Sequence, residues 1–270
     1  MMELLALIVA GWAGEMVKRT IMTFEQVYIL EEMYKLYQQP ASFDRFKAYL
    51  RLLGGTSDND MQAAIGWYNP MAKPHILDKL SELMGLNAEQ TASDALKAVP
   101  RLNVREDGLP AFKVFLNLAD DLHGGWTNRF TTDYDSKFRL NALMTRNFCT
   151  PVFWTSELYS TALISARTQE YALRMLYWRN HPKPQTLREH IDQEVFVGLC
   201  APADTTLCPD DVDMDAAHRF FEAHQHSADY NLIFAFLYGD EAAESLGFKT
   251  YGITAPGTGF AYARRRGQRR

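Results

Sequence analysis

The sequence predicts an all-α protein, a single multi-helix, bundle-like domain, and three observations carry that expectation. Apolar residues recur at three- and four-residue steps along most of the chain, as one buried stripe on a 3.6-residue helix requires. Gly, Pro and short polar clusters fall between those stretches rather than inside them. Alternating strand-like segments are nearly absent, apart from a minor β-hairpin expected near residues 248–262. With 270 residues and 47% of them hydrophobic, the chain can bury a sizeable core, and its composition excludes a disordered, collagen-like or coiled-coil protein.

Each helix has its own local reason. In residues 23–37, Phe24, Val27, Tyr28, Leu30, Met33, Tyr34 and Tyr37 form one stripe, and Phe43, Phe46, Leu50 and Leu53 form a second that Gly54-Gly55 stops. Pro70 opens a helix through Ile76, Leu80 and Leu83, closed by Gly85, and Asn87 with Gln90 resembles a capping box for residues 88–99. Pro110 stands where a first helical turn tolerates it, before a buried helix of Phe112, Phe115, Leu116, Leu118 and Leu122. Phe138, Leu140, Leu143, Met144 and Phe148 predict the next helix. Residues 156–179 predict the longest, because no Gly or Pro interrupts them before His181-Pro182. Thr186 and Glu189 form another capping box, and helices then follow at 213–226, 230–238 and 240–246.

The expected organisation is an N-terminal extension or first helix at 1–22, one helical domain at 23–262 with its weakest point near 99–110, and a basic tail at 263–270. The apolar run 4–13 follows Glu3 without Lys or Arg and is too short to span a bilayer, so neither a secretory signal nor a membrane anchor is expected. Three cysteines, Cys149, Cys200 and Cys208, make no disulfide framework, which suits a reducing cytoplasm. The net charge is −5 although Arg264, Arg265, Arg266, Arg269 and Arg270 close the chain, so the body is more acidic still and disfavours nucleic acid as a partner. The arginines themselves read as a solvated terminus.

Candidate chemistry concentrates at residues 119–135, where helical patterning breaks into Asp120, Asp121, His123, Gly124, Gly125, Trp126, Thr127, Asn128 and Arg129. Asp120 and His123, three apart, share one face of a helix end; His218, Glu222 and His226 follow at four-residue steps. Facing helices of a bundle can pool such carboxylates and imidazoles around a divalent metal. The leading expectation is therefore an enzyme in which Asp120, His123, Glu222 and His226 hold the metal. Asp121 acts as base or supports the ligands, while Trp126, Asn128 and Arg129 bind a small anionic substrate. Metal-assisted hydrolysis or proton transfer is the corresponding reaction class. The alternative is a non-catalytic helical module that binds a small ligand or a protein partner, with Asn128 capping a turn and Arg129 pairing with Asp133 or Asp135.

Asp211, Asp213, Asp215 and Glu222 match part of a calcium-loop pattern, which fails where Ala216 replaces the turn glycine; Asp213 as a helix N-cap explains the same acids. His190 with Glu194, and Glu170 with Arg174, read as exposed pairs. Tyr37, Tyr159, Tyr171 and Tyr177 read as core residues with hydroxyls in water. His75 has no evident partner in the sequence.

Overall fold

A small parallel sheet sits among the helices of this fold. The computed structural model describes residues 20–54, 61–100, 103–104, 111–122, 127–201 and 212–268. Strands β1 (Thr20–Ile21) and β2 (Phe24–Gln26) precede helices α1 (Leu30–Gln38), α2 (Phe43–Gly54), α3 (His75–Gly85) and α4 (Ala88–Lys97). Then come β3 (Asn103–Val104), β4 (Phe112–Val114), β5 (Asn117–Ala119), α5 (Arg129–Phe138), α6 (Asn141–Arg146), β6 (Phe148–Cys149) and β7 (Val152–Trp154). The remainder is helical: α7 (Thr161–Asn180), α8 (Leu187–Cys200), α9 (Met214–His224), α10 (Tyr230–Tyr238), α11 (Asp240–Ser245) and α12 (Thr258–Gln268). The chain is a mainly helical single domain, as expected, and among the described residues no helix is long and apolar enough to cross a membrane.

Strands β2, β4 and β6 pair in parallel in that order, β5 pairs in parallel with β7, and β1 pairs antiparallel with β3. The β4–β6 and β5–β7 pairs form one ladder with a flaw. The offset of Val114↔Cys149 is kept at Asn117↔Val152, and Phe115 N–H donates to Cys149 O, Asn117 N–H to Pro151 O and Thr155 N–H to Ala119 O. In this alternation the N–H of residue 151 would donate to Phe115 O, but proline has none. The Asn117 side chain repairs the gap: its Nδ2 donates to Phe115 O at 3.1 Å and to Ala64 O at 2.8 Å.

This sheet corrects the helix expected at 112–122. Residues 114–120 are all buried, so both strand faces are covered and the sequence shows an apolar run with accidental helical spacing instead of alternation. Phe148 likewise belongs to a strand, not to the helix before it. The helix expected from residue 23 begins only at Leu30, after β2, where the Glu89 carboxylate accepts the backbone N–H groups of Ile29 and Leu30.

Helix α7 runs through the middle of the molecule, packed against α4, α8 and β6, and every residue from Ala166 to Tyr177 is buried. Ser160 caps its N-terminus by accepting the Leu163 N–H. The Thr186–Glu189 capping box forms as read, Asp213 caps α9, and α10 spans the expected Tyr230–Tyr238. Asn87 differs: it adopts a left-handed conformation (φ +50°) and makes no side-chain cap.

The C-terminus departs most from expectation. No hairpin forms over the described residues 248–262; Thr258–Gln268 is helix α12, and Arg264 to Arg266 lie within it rather than in a loose tail. This helix packs along α8, where Gly267 meets Leu199, and Arg264 reaches Glu170 at 3.4 Å. Gly259 lets α12 approach α10: a Cβ there would lie 3.1 Å from Leu237 Cα, 3.1 Å from Phe236 O and 2.9 Å from Leu237 Cδ2. Gly259→Ala is therefore expected to lower stability by about 1–3 kcal/mol, the usual range for overpacking. Urea denaturation read by circular dichroism checks this, with Gly247→Ala, which has open space but a left-handed φ of +71°, separating crowding from backbone strain.

Candidate functional site

In a parallel sheet the carboxyl ends of all strands lie at one edge, so residues just beyond them converge. Here β5 leads into Asp120 and Asp121, and β7 into Thr155, Ser156 and Glu157. Asp120 Oδ1 accepts from His75 Nε2 and Thr155 Oγ1, each at 3.0 Å, and from the Leu122 N–H at 3.1 Å. Asp121 Oδ1 faces Thr155 Oγ1 and accepts the Ser156 N–H, both at 3.0 Å; its Oδ2 accepts from Ser156 Oγ at 2.6 Å and Arg129 Nη1 at 2.8 Å. Burial by itself would raise both carboxyls, but these hydrogen bonds and the neighbouring His75 and Arg129 outweigh it and hold each below the usual aspartate range.

Arg129 is the first residue of α5, whose N-cap Asn128 accepts the N–H groups of Phe130 and Thr131. Its guanidinium lies over the Trp154 ring at 5.3 Å, and its Nη2 donates to Glu157 Oε1 at 3.1 Å. Glu157 in turn grips Arg167 of α7 with both oxygens, at 2.5 and 3.0 Å, and accepts the Trp154 N–H. The side chains of Glu157 and Arg167 are 7% and 6% exposed, so this forked pair is shielded from water.

Behind Arg129 opens a narrow cleft with room for about 20 Å³, the scale of a bound water, lined by Arg129, Phe130, Asp133, Lys137, Trp154, Glu157, Arg167, Glu170, Tyr171 and Tyr238. Every lining side chain is aromatic or charged. Lys137 Nζ donates to Asp133 Oδ2 at 2.6 Å and sits 4.8 Å from the Phe260 ring, with its side chain 4% exposed. Tyr238 donates to the same Asp133 oxygen at 2.7 Å. Burial and then the Asp133 carboxylate push the Tyr238 phenol well above its ordinary range, and burial does the same to Tyr171, whose hydroxyl meets Ser136 at 2.7 Å. Both remain neutral. Further back, Arg174 bridges Glu194 at 2.6 Å and Glu170 at 3.4 Å, entirely within the protein.

Of the residues singled out in the sequence, Asp120, Asp121 and Arg129 meet at this edge, and Asn128 is the cap beside them. Arg129 pairs with Asp121 and Glu157 rather than with Asp133 or Asp135. His123 and Trp126 lie outside the described residues, as do Gly124 and Gly125. Glu222 and His226 are exposed, Glu222 bonded to Gln225 on α9's own surface, and His218 contacts Tyr262. Among the described residues no three His, Cys, Asp or Glu side chains come together in a way that could hold a metal ion, so Asp120, Glu222 and His226 form no such group.

Two pairs read as exposed are buried. Glu170 and Arg174 lie inside α7's buried run, and His190 and Glu194 face the core from α8. His190 Nδ1 lies 2.8 Å from Thr186 O, which can only accept, so Nδ1 carries the proton and Nε2 accepts from the Tyr134 hydroxyl at 3.0 Å. Burial lowers the His190 pKa and favours this neutral form. His75, without a partner in the sequence, has Asp120. Tyr37, Tyr159 and Tyr171 spend their hydroxyls on protein groups rather than water. Sequence reasoning missed Glu157, Arg167, Asp133, Lys137 and Tyr238. One signal was present: residues 161–180 carry charges and apolar residues on every side, and a helix with no wet face must bury some of its charges.

Comparison with protein-family models, curated proteins and solved structures finds no match to this chain.

The lowered Asp120 pKa has a defined consequence for stability. A carboxyl whose folded pKa lies below its unfolded value of 3.8 contributes stability above that value and loses it as pH falls through the folded pKa. Asp120→Asn is expected to cost about 1.5–3 kcal/mol at pH 7, the scale of hydrogen bonds to a charged group. The deficit should shrink as pH falls below about 4. Urea titrations of both proteins from neutral to acid pH check this; a deficit constant with pH would contradict it.

Proposed function

We propose that this protein binds a small anionic molecule, through a carboxylate or phosphate group, at the mouth of this cleft, where Arg129 is part-exposed at the carboxyl ends of the parallel strands. Lys137 is the observation that carries the reading. An ammonium has three donors, and this one, almost completely buried, makes one hydrogen bond among the described residues, to Asp133, and lies over the Phe260 ring. A buried positive charge is costly, and an anion held at the cleft mouth would lower that cost.

Arg129 supports the same reading. Among the described residues Arg129 engages Nη1 with Asp121 and Ser156 and Nη2 with Glu157, and its Nε–H makes no hydrogen bond. A guanidinium offers carboxylate and phosphate charge-assisted hydrogen bonds. The Trp154 face, Asp121 and Glu157 hold this guanidinium in place beforehand, which reduces the ordering cost of binding. Asp121, with both oxygens already engaged, fits a role in positioning Arg129. The reading does not draw on the ligand set Asp120, His123, Glu222 and His226, whose described members are not gathered.

Isothermal titration calorimetry with inorganic phosphate and with acetate, on the full chain and on Arg129→Gln and Lys137→Met, tests the proposal. Saturable binding by the parent protein and at least about a tenfold loss in each variant, equivalent to about 1.4 kcal/mol, are expected. Melting curves establish that the variants fold. No heat from either anion up to high millimolar concentration, or equal affinity in folded variants, would overturn it.

A further inference from the structure

Helix α2 is held to the protein by one side and carries an apolar stripe on another. On the inner side Arg45, 4% exposed, donates to the carbonyls of Gln39, Pro70 and Ala72 at 3.0, 2.7 and 2.9 Å, and the Tyr49 hydroxyl donates to Ile65 O at 3.0 Å. Ala48 and Leu52 pack against the core from the same side. Phe43, Phe46 and Leu50 follow one another at three- and four-residue steps on the outer side. Phe43 is 67% and Leu50 44% exposed, and the Phe43 and Phe46 rings stack at 6.3 Å. A lone surface leucine needs no explanation. Three large apolar side chains in one line, which the fold leaves wholly or partly in water, form a patch of the kind that marks an interface.

The charges beside the stripe say which partner fits. Asp44, Lys47 and Arg51 run along one flank of it, acidic at the start of the helix and basic at its end. When two copies of one helix pack antiparallel about a two-fold axis, the same flank of each meets, start against end. Asp44 of each chain then faces Arg51 of the other, and Phe43 packs on Leu50 with Phe46 near the axis. Parallel packing would instead set Asp44 against Asp44 and Arg51 against Arg51. Lys47 meets its own copy in the antiparallel pair, a repulsion that Asp44 of the same chain, 3.8 Å away, offsets in part.

From this self-complementary pattern we infer that α2 is the interface of a two-fold homodimer, two copies packed antiparallel along the Phe43, Phe46 and Leu50 stripe. The contact is small. A helix of 12 residues is about 18 Å long, and a pair of them buries less than the roughly 1,200 Å² below which protein contacts are weak and transient. Association therefore falls between micromolar and millimolar concentration. No residue of α2 lines the cleft, so the inference does not rest on the anion-binding reading.

Sedimentation equilibrium of the full chain over a concentration series tests this. The parent protein is expected to move from monomer toward dimer across that range, and Leu50→Glu to stay monomeric with an unchanged circular dichroism spectrum, since the side chain it replaces is exposed. Asp44→Lys and Arg51→Glu should each weaken association about tenfold, because each sets like charges together at both ends of the pair. An equimolar mixture of those two variants should associate as well as the parent, because every mixed pair restores opposite charges at both ends. A parent protein monomeric throughout would overturn the inference and leave the face to another segment of this chain or to a different protein. A dimer that Leu50→Glu leaves intact would put the interface elsewhere and overturn it, as would a mixture no stronger than its two components. The charge variants decide the matter even if Leu50→Glu fails to fold.

Discussion

Glu157 ties together three parts of the chain that sequence places far apart. Its carboxylate receives the guanidinium of Arg129 from the start of α5, the guanidinium of Arg167 from the middle of α7, and the N–H of Trp154 from the end of β7. Neither Glu157 nor Arg167 has appreciable contact with water, so removing one breaks a buried ion pair, a change that costs about 3–5 kcal/mol. Arg129, one wall of the cleft and α7 thus meet at this one carboxylate. A better-packed apolar core would have been at least as stable.

The same constraint organises the surrounding core. From Ala166 to Tyr177 helix α7 is buried on all sides, and its charged side chains there pair with other elements: Arg167 with the β7 end, Arg174 with α8, and Glu170 with α12 through Arg264. The pairing with Glu170 helps explain why the C-terminal arginines are helical rather than frayed. Tyr171 meets Ser136 of α5 by the same logic. Apolar contact supplies the area, and these pairs set which neighbour goes where.

Helices with one wet and one buried face were legible from sequence, because their 3.6-residue stripe is visible in the residue order, as in α9; the Thr186 capping box and the Asp213 cap were legible as local motifs. The parallel strands were not. Asn117–Ala119 is buried on both faces and shows no alternation, the Phe112–Lys113–Val114 alternation is only three residues long, and Phe112, Phe115, Leu116 and Leu118 happen to fall at helical intervals. The site was half legible for a related reason. Asp120, Asp121, Asn128 and Arg129 stand close in the chain and drew attention by their density. Glu157, Arg167, Lys137 and Tyr238 meet them only through the sheet and α7, and in the sequence Lys137 and Arg167 resemble ordinary surface charges. Whether a charged residue is buried depends on what packs over it, which local periodicity does not encode.

The most direct test of this account is a double-mutant cycle on Glu157 and Arg167, with Glu157→Gln, Arg167→Met and the double variant compared with the parent protein by urea denaturation at neutral pH. If the buried pair organises the cleft, each single change costs several kcal/mol, the double variant recovers part of the loss, and the coupling is about 2 kcal/mol or more. A coupling below about 0.5 kcal/mol, with both single variants close to the parent in stability, would contradict the account.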